Sequence, residues 1–74
     1  MKEYEITATF LNGGAGAAYP QIQFEEAELE NPDDYIRAKH GKDFDKFQKE
    51  ILPDGRILYT FSETVTYKYE FNEL

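Results

Sequence analysis

Apolar and polar residues alternate with period two at both ends of the chain. Tyr4, Ile6, Ala8 and Phe10 alternate with Glu5, Thr7, Thr9 and Leu11, which predicts a strand buried on one face. Toward the C-terminus, Ile57, Tyr59 and Phe61 alternate with Leu58, Thr60 and Ser62. Val65, Tyr67, Tyr69 and Phe71 then alternate with Thr66, Lys68 and Glu70. β-branched and aromatic side chains dominate both runs, as a half-buried pleated surface favours. They predict a hairpin connected by Ser62-Glu63-Thr64. Ile22 and Phe24 alternate with Gln21, Gln23 and Glu25. This predicts a short strand that pairs with the first around the Gly-rich residues 12–18, with Pro20 where a strand can begin. At Glu25-Glu26 the phase slips, because apolar positions move from Ile22 and Phe24 to Ala27 and Leu29. A bulge or the end of the strand is the expected cause.

The middle of the chain changes period. Asn31-Pro32-Asp33-Asp34 reads as a helix start, since Asn caps well, Pro fits the first turn and two carboxylates complement the helix dipole. Arg37, Lys39 and His40 suit the C-terminal end, and Gly41 suits the position after it. A helix of two to three turns follows. Residues 42–50 admit two readings. Ile36, His40, Phe44, Phe47 and Ile51 would form one stripe on a helix continuing through Gly41. Alternatively, Phe47, Lys49 and Ile51 share one side of a strand. The strand is preferred, because Leu52-Pro53-Asp54-Gly55-Arg56 is a turn sequence between two apolar runs.

The predicted fold class is therefore α+β: a small, mostly antiparallel sheet of four to five strands with one helix on one face, in the order β-β-α-(β)-β-β. One domain covers residues 1–74. The order of elements resembles the β-grasp arrangement of small immunoglobulin-binding and ubiquitin-like domains. That resemblance implies an arrangement of elements and carries no function.

Composition narrows the chemistry. A chain of 74 residues buries only about 60% of its unfolded surface, so its core is marginal. Six Phe and six Tyr supply dense packing at low rotamer cost. With no Cys, disulfides and thiolate-bound zinc are excluded, and a reducing compartment such as the cytoplasm is the expected location. No apolar stretch approaches the roughly 20 residues of a membrane span, and residues 1–5 show no secretory leader. A net charge of −7 opposes generic binding to nucleic acid or anionic lipid.

That charge is local. Residues 25–34 hold six acids (Glu25, Glu26, Glu28, Glu30, Asp33, Asp34) and no base, while the remainder holds nine acids and eight bases. Asp33 and Asp34 belong to helix initiation. Glu25, Glu26, Glu28 and Glu30 are either a solvated edge that discourages strand aggregation or a docking face for a basic partner.

Other candidates carry less. Gly14-Ala15-Gly16-Ala17-Ala18 superficially resembles a nucleotide fingerprint, but Tyr19-Pro20 follows where a helix is required. His40, Asp43 and Asp45 lack the spacing of a Ca²⁺ loop and sit among Lys39, Lys42 and Lys46. Ser62 is the only Ser and has no nucleophile elbow around it. Tyr59, Tyr67 and Tyr69 have only Arg56 and Lys68 as basic neighbours in sequence, fewer than a base-stacking sheet pairs with its rings, and are expected in the core.

The sequence therefore predicts a small acidic, non-enzymatic protein-interaction module, with no cofactor and no metal. Its expected partner is a protein with a basic surface, contacted through Glu25, Glu26, Glu28 and Glu30. No direct contact with nucleic acid or membrane is expected. Two alternatives stand beside it. One is a DNA-mimic inhibitor of a nucleic-acid-binding protein, which needs its acids spaced along one exposed surface. The other is a purely structural homodimer formed through edge strands or exposed tyrosines.

Overall fold

The computed structural model describes residues 1–12, 21–63 and 65–74. The readings placed on residues 13–20, and the Thr64 part of the last connection, lie outside them. The described residues form β1 (Lys2–Asn12), β2 (Gln21–Leu29), α1 (Pro32–His40), a 3₁₀ turn (Gly41–Lys46), β3 (Gln48–Ile51), β4 (Ile57–Ser62) and β5 (Val65–Glu73). They make a five-stranded sheet in the order β2-β1-β5-β4-β3, and every pairing is antiparallel. The two chain ends thus meet at the centre, and each hairpin extends outward to one edge. The helix covers a single face.

Residues opposite one another in an antiparallel pair point to the same face. Tyr4, Ile6 and Ala8 of β1, Tyr69 and Phe71 of β5, and Tyr59 of β4 share the helix face. With Ile36 of α1 they form the buried core. Aromatic rings meet edge to face within it. Phe71 lies 5.4 Å from Tyr59 and 5.5 Å from Tyr35 between ring centroids, the quadrupole-favoured arrangement. Tyr59 and Tyr69 are buried and Tyr67 is half-buried, so the tyrosine ladder serves the core as its sequence context implied.

The helix begins where its sequence signals place it. The Asn31 side chain accepts from the Asp33 backbone N–H at 3.0 Å, and Pro32 follows in the first turn. The Gly41 N–H donates to the Arg37 carbonyl at a φ of 56° that disfavours residues with a Cβ. The helix does not run through Gly41. A 3₁₀ turn carries Phe44 and is followed by β3, so the strand reading holds for residues 48–51, with Phe47 just before the strand as the residue that ends the turn.

Between β3 and β4, Leu52 donates to the Arg56 carbonyl at 2.8 Å and Gly55 donates to the Leu52 carbonyl at 2.9 Å. Gly55 has φ +93°. Replacing Gly55 by Ala meets open space but forces a left-handed backbone on an L-residue. Thermal unfolding should show a loss of about 1 kcal/mol, or about 4–8 °C in Tm for a domain this size.

One sequence expectation is corrected. The phase slip at Glu25-Glu26 is neither a bulge nor a strand end, since β2 runs in continuous register against β1 from Phe10↔Gln21 to Lys2↔Leu29. The apolar residues change faces instead. Ala27 and Leu29 lie on the helix face and pack against the core. Ile22 and Phe24 lie on the opposite face and are 53% and 74% exposed. The helix-face positions beyond Ala27 are Glu25, Gln23 and Gln21, all exposed. A strand with helix cover along only part of its length has no reason to keep one apolar phase throughout.

Candidate functional site

The sheet face opposite α1 is uncovered by any described residue. Its organisation follows from the register. Glu3 opposes Glu28 and Glu5 opposes Glu26 across β1 and β2. All four are exposed, and Glu3, Glu26 and Glu28 line a shallow depression in the surface.

The ladder shows how close these carboxylates are. The Leu74 N–H donates to the Glu3 carbonyl at 2.9 Å, so the backbone groups of Glu3 point toward β5. In an antiparallel strand alternate residues point to alternate neighbours. Glu5, Thr7 and Thr9 therefore also bond toward β5, and Tyr4, Ile6 and Ala8 bond toward β2. Glu3↔Glu28 and Glu5↔Glu26 are thus non-hydrogen-bonded pairs, in which Cα atoms lie only about 4.5 Å apart and side chains are closest. Two consecutive like-charge pairs of this kind oppose folding.

Nearby bases do not neutralise them. Arg56 donates to Glu70 at 2.7 Å and to Asp54 at 2.7 Å. Lys2 pairs with Glu73 at 3.3 Å. Lys68 shares the open face but opposes Thr9, four residues along from Glu5 and thus about 13 Å away at the usual strand rise. Among the described residues, none of the four glutamates forms an ion pair.

The acids singled out in the sequence therefore separate. Glu26 and Glu28 join the open corner. Glu25 lies on the helix face, where burial raises the Tyr35 phenol pKa and the Glu25 carboxylate beside it raises it further. Glu30 follows β2 in the bend before the helix. Asp34 pairs with Arg37 at 3.4 Å. Asp33 does more than begin the helix, accepting a hydrogen bond from the Tyr59 hydroxyl and one from Lys49 at 3.3 Å. Burial acts to raise its pKa, but these two donors and the charges of Lys49 and Arg37 outweigh it and hold the carboxyl below its ordinary value. Asp33 thereby ties α1 to β4 and β3. The six acids do not share one surface, which removes support from the phosphate-mimic arrangement.

Glu3 and Glu5 do not stand out in the charge along the chain, because Lys2 and apolar residues separate them from any acidic run. Their signal was present in the strand alternation, which places Glu5 away from the core. Recognising the cluster required the β1–β2 register.

His40 has a different environment from the polar cluster its neighbours suggested. Its Nε2 lies 2.6 Å from the Tyr69 hydroxyl, and its ring packs against Phe47, Tyr67 and Tyr69. Among the described residues no group of three or more His, Asp or Glu gathers to hold a metal. Burial lowers the His40 pKa, Asp43 raises it in part and Lys39 lowers it again. The unfolded chain then holds the proton more tightly than the folded one. The stability involved is complete above the unfolded value of about 6.5 and is lost as pH falls through the lower folded value. Tm measured from pH 8 to pH 5 should fall at the acid end of this range. His40→Gln should flatten that part of the profile.

No family model matches the chain, and neither a curated protein nor a solved structure matches it. No helix among the described residues is long and apolar enough to cross a membrane.

Proposed function

We propose that this is a small acidic, non-enzymatic interaction module of the cytoplasm whose open sheet face takes up a basic partner protein at Glu3, Glu5, Glu26 and Glu28. The observation that carries this reading is the two consecutive Glu–Glu cross-strand pairs between β1 and β2, with no ion pair to any of the four among the described residues. Cross-strand repulsion lowers stability, and local violations of this kind are expected at functional sites. Ile22 and Phe24 adjoin the acids on the same face. They supply the apolar contact that a purely electrostatic surface lacks. Charge complementarity would speed encounter and select the partner, and the two apolar side chains would slow its departure.

Affinity capture from the native host tests this, with the intact chain and its Glu26→Lys/Glu28→Lys variant as baits. A basic protein retained at low salt by the first and absent from the second is the expected result. Equal recovery on both baits refutes the assignment.

A further inference from the structure

The outer edge of β2 is unpaired among the described residues, and its backbone orientation is determined by the same ladder. Tyr4, Ile6, Ala8 and Phe10 direct their backbone groups at Ala27, Glu25, Gln23 and Gln21. The N–H and C=O groups of Ile22, Phe24, Glu26 and Glu28 therefore point outward along the free edge. These are also the β2 residues whose side chains occupy the open face. The edge holds no Pro or Lys; its charges are Glu25, Glu26 and Glu28, which discourage addition of a neutral or acidic strand and leave a basic one favoured. At nine residues it is long enough to template a peptide.

We propose that this edge takes up an extended basic segment of the partner protein as a sixth, antiparallel strand. The inference rests on the reading of the open corner as a surface for a basic partner and specifies how that partner is held. Register dictates its pattern. Partner residues directly opposite Glu28, Glu26, Phe24 and Ile22 share the open face with them, so the segment reads basic-x-basic-x-apolar-x-apolar from its N-terminus. Main-chain hydrogen bonds supply affinity and the alternate side chains supply selection. A second copy of this chain is a poor occupant, because its own β2 holds three Glu and no Lys or Arg to set opposite Glu26 and Glu28.

The probe is the peptide acetyl-Lys-Thr-Lys-Thr-Val-Thr-Val-amide, compared with a form N-methylated at its second lysine and first valine. Charge is unchanged by the methyl groups, but both altered residues lose the N–H that faces β2. In low salt the unmodified peptide should bind, and the amides of Phe24, Glu26 and Glu28 should gain about tenfold or more in exchange protection. The amides of Glu25 and Ala27, already in the β1–β2 ladder, should not change. The N-methylated form should bind at least about tenfold more weakly. Equal binding of the two peptides, uniform protection along β2, or no binding of the unmodified peptide overturns strand addition. Equal binding of the two peptides leaves the basic-partner reading standing, because it shows charge-directed contact without backbone pairing. That reading fails separately if Glu26→Lys/Glu28→Lys does not weaken binding.

Discussion

Phe71→Ala is expected to remove a large share of the stability of the fold. Phe71 is 0% exposed at the centre of the sheet, and its ring contacts those of Tyr4, Tyr35 and Tyr59. Truncating a buried Phe costs about 3–5 kcal/mol through lost transfer energy and the cavity left behind. A domain of this length has about 4–11 kcal/mol in total on the usual per-residue scale. Urea unfolding followed by circular dichroism should show a clearly lower midpoint, with Tm lower by about 12 °C or more. Phe24→Ala provides the comparison. Phe24 is 74% exposed on the opposite face, and its loss should change stability by no more than about 0.5 kcal/mol. Similar losses from the two substitutions would contradict the assignment of faces.

The second large effect is on binding. Glu26→Lys combined with Glu28→Lys converts two like-charge pairs into Glu–Lys pairs, since Glu5 and Glu3 remain opposite. Folding and binding should therefore move in opposite directions. The domain gains about 0.5 kcal/mol per pair at low salt, an exposed-pair magnitude, and Tm rises by a few degrees. Affinity for the basic partner falls by about a hundredfold, as attraction becomes repulsion at two adjacent positions. A variant that loses both stability and binding would indicate a folding defect, so the Tm measurement accompanies the binding assay. Raising the salt should stabilise the natural chain, because the Debye length falls from about 10 Å at 0.1 M to about 3 Å at 1 M.

Much of the fold was legible where a local rule and the tertiary environment agree. β1, β4 and β5 lie at or beside the centre, have helix cover throughout their core positions and keep one apolar phase. Asn31, Pro32 and Gly41 bracket α1 through backbone chemistry that acts over a few residues. The turn at Gly55 separates β3 from β4 for the same reason. β2 departs from its sequence pattern because it is an edge strand with cover on part of its length, so its apolar residues divide between faces. Half of the acidic corner was legible. Glu26 and Glu28 stood out in a run of acids, whereas Glu3 and Glu5 lie more than twenty residues away in sequence. Cross-strand proximity is a property of register, which hydrophobic phase alone does not encode for a strand whose phase changes. The tertiary bonds of Asp33 to Tyr59 and of His40 to Tyr69 are similarly nonlocal.

The most direct test is to measure affinity for the captured partner at about 50 and about 500 mM NaCl, with the natural chain and the Glu26→Lys/Glu28→Lys variant side by side. The account predicts tight binding by the natural chain at low salt, marked weakening at high salt, and little binding by the variant at either. Equal affinities for the two proteins, or an affinity indifferent to salt, would contradict it.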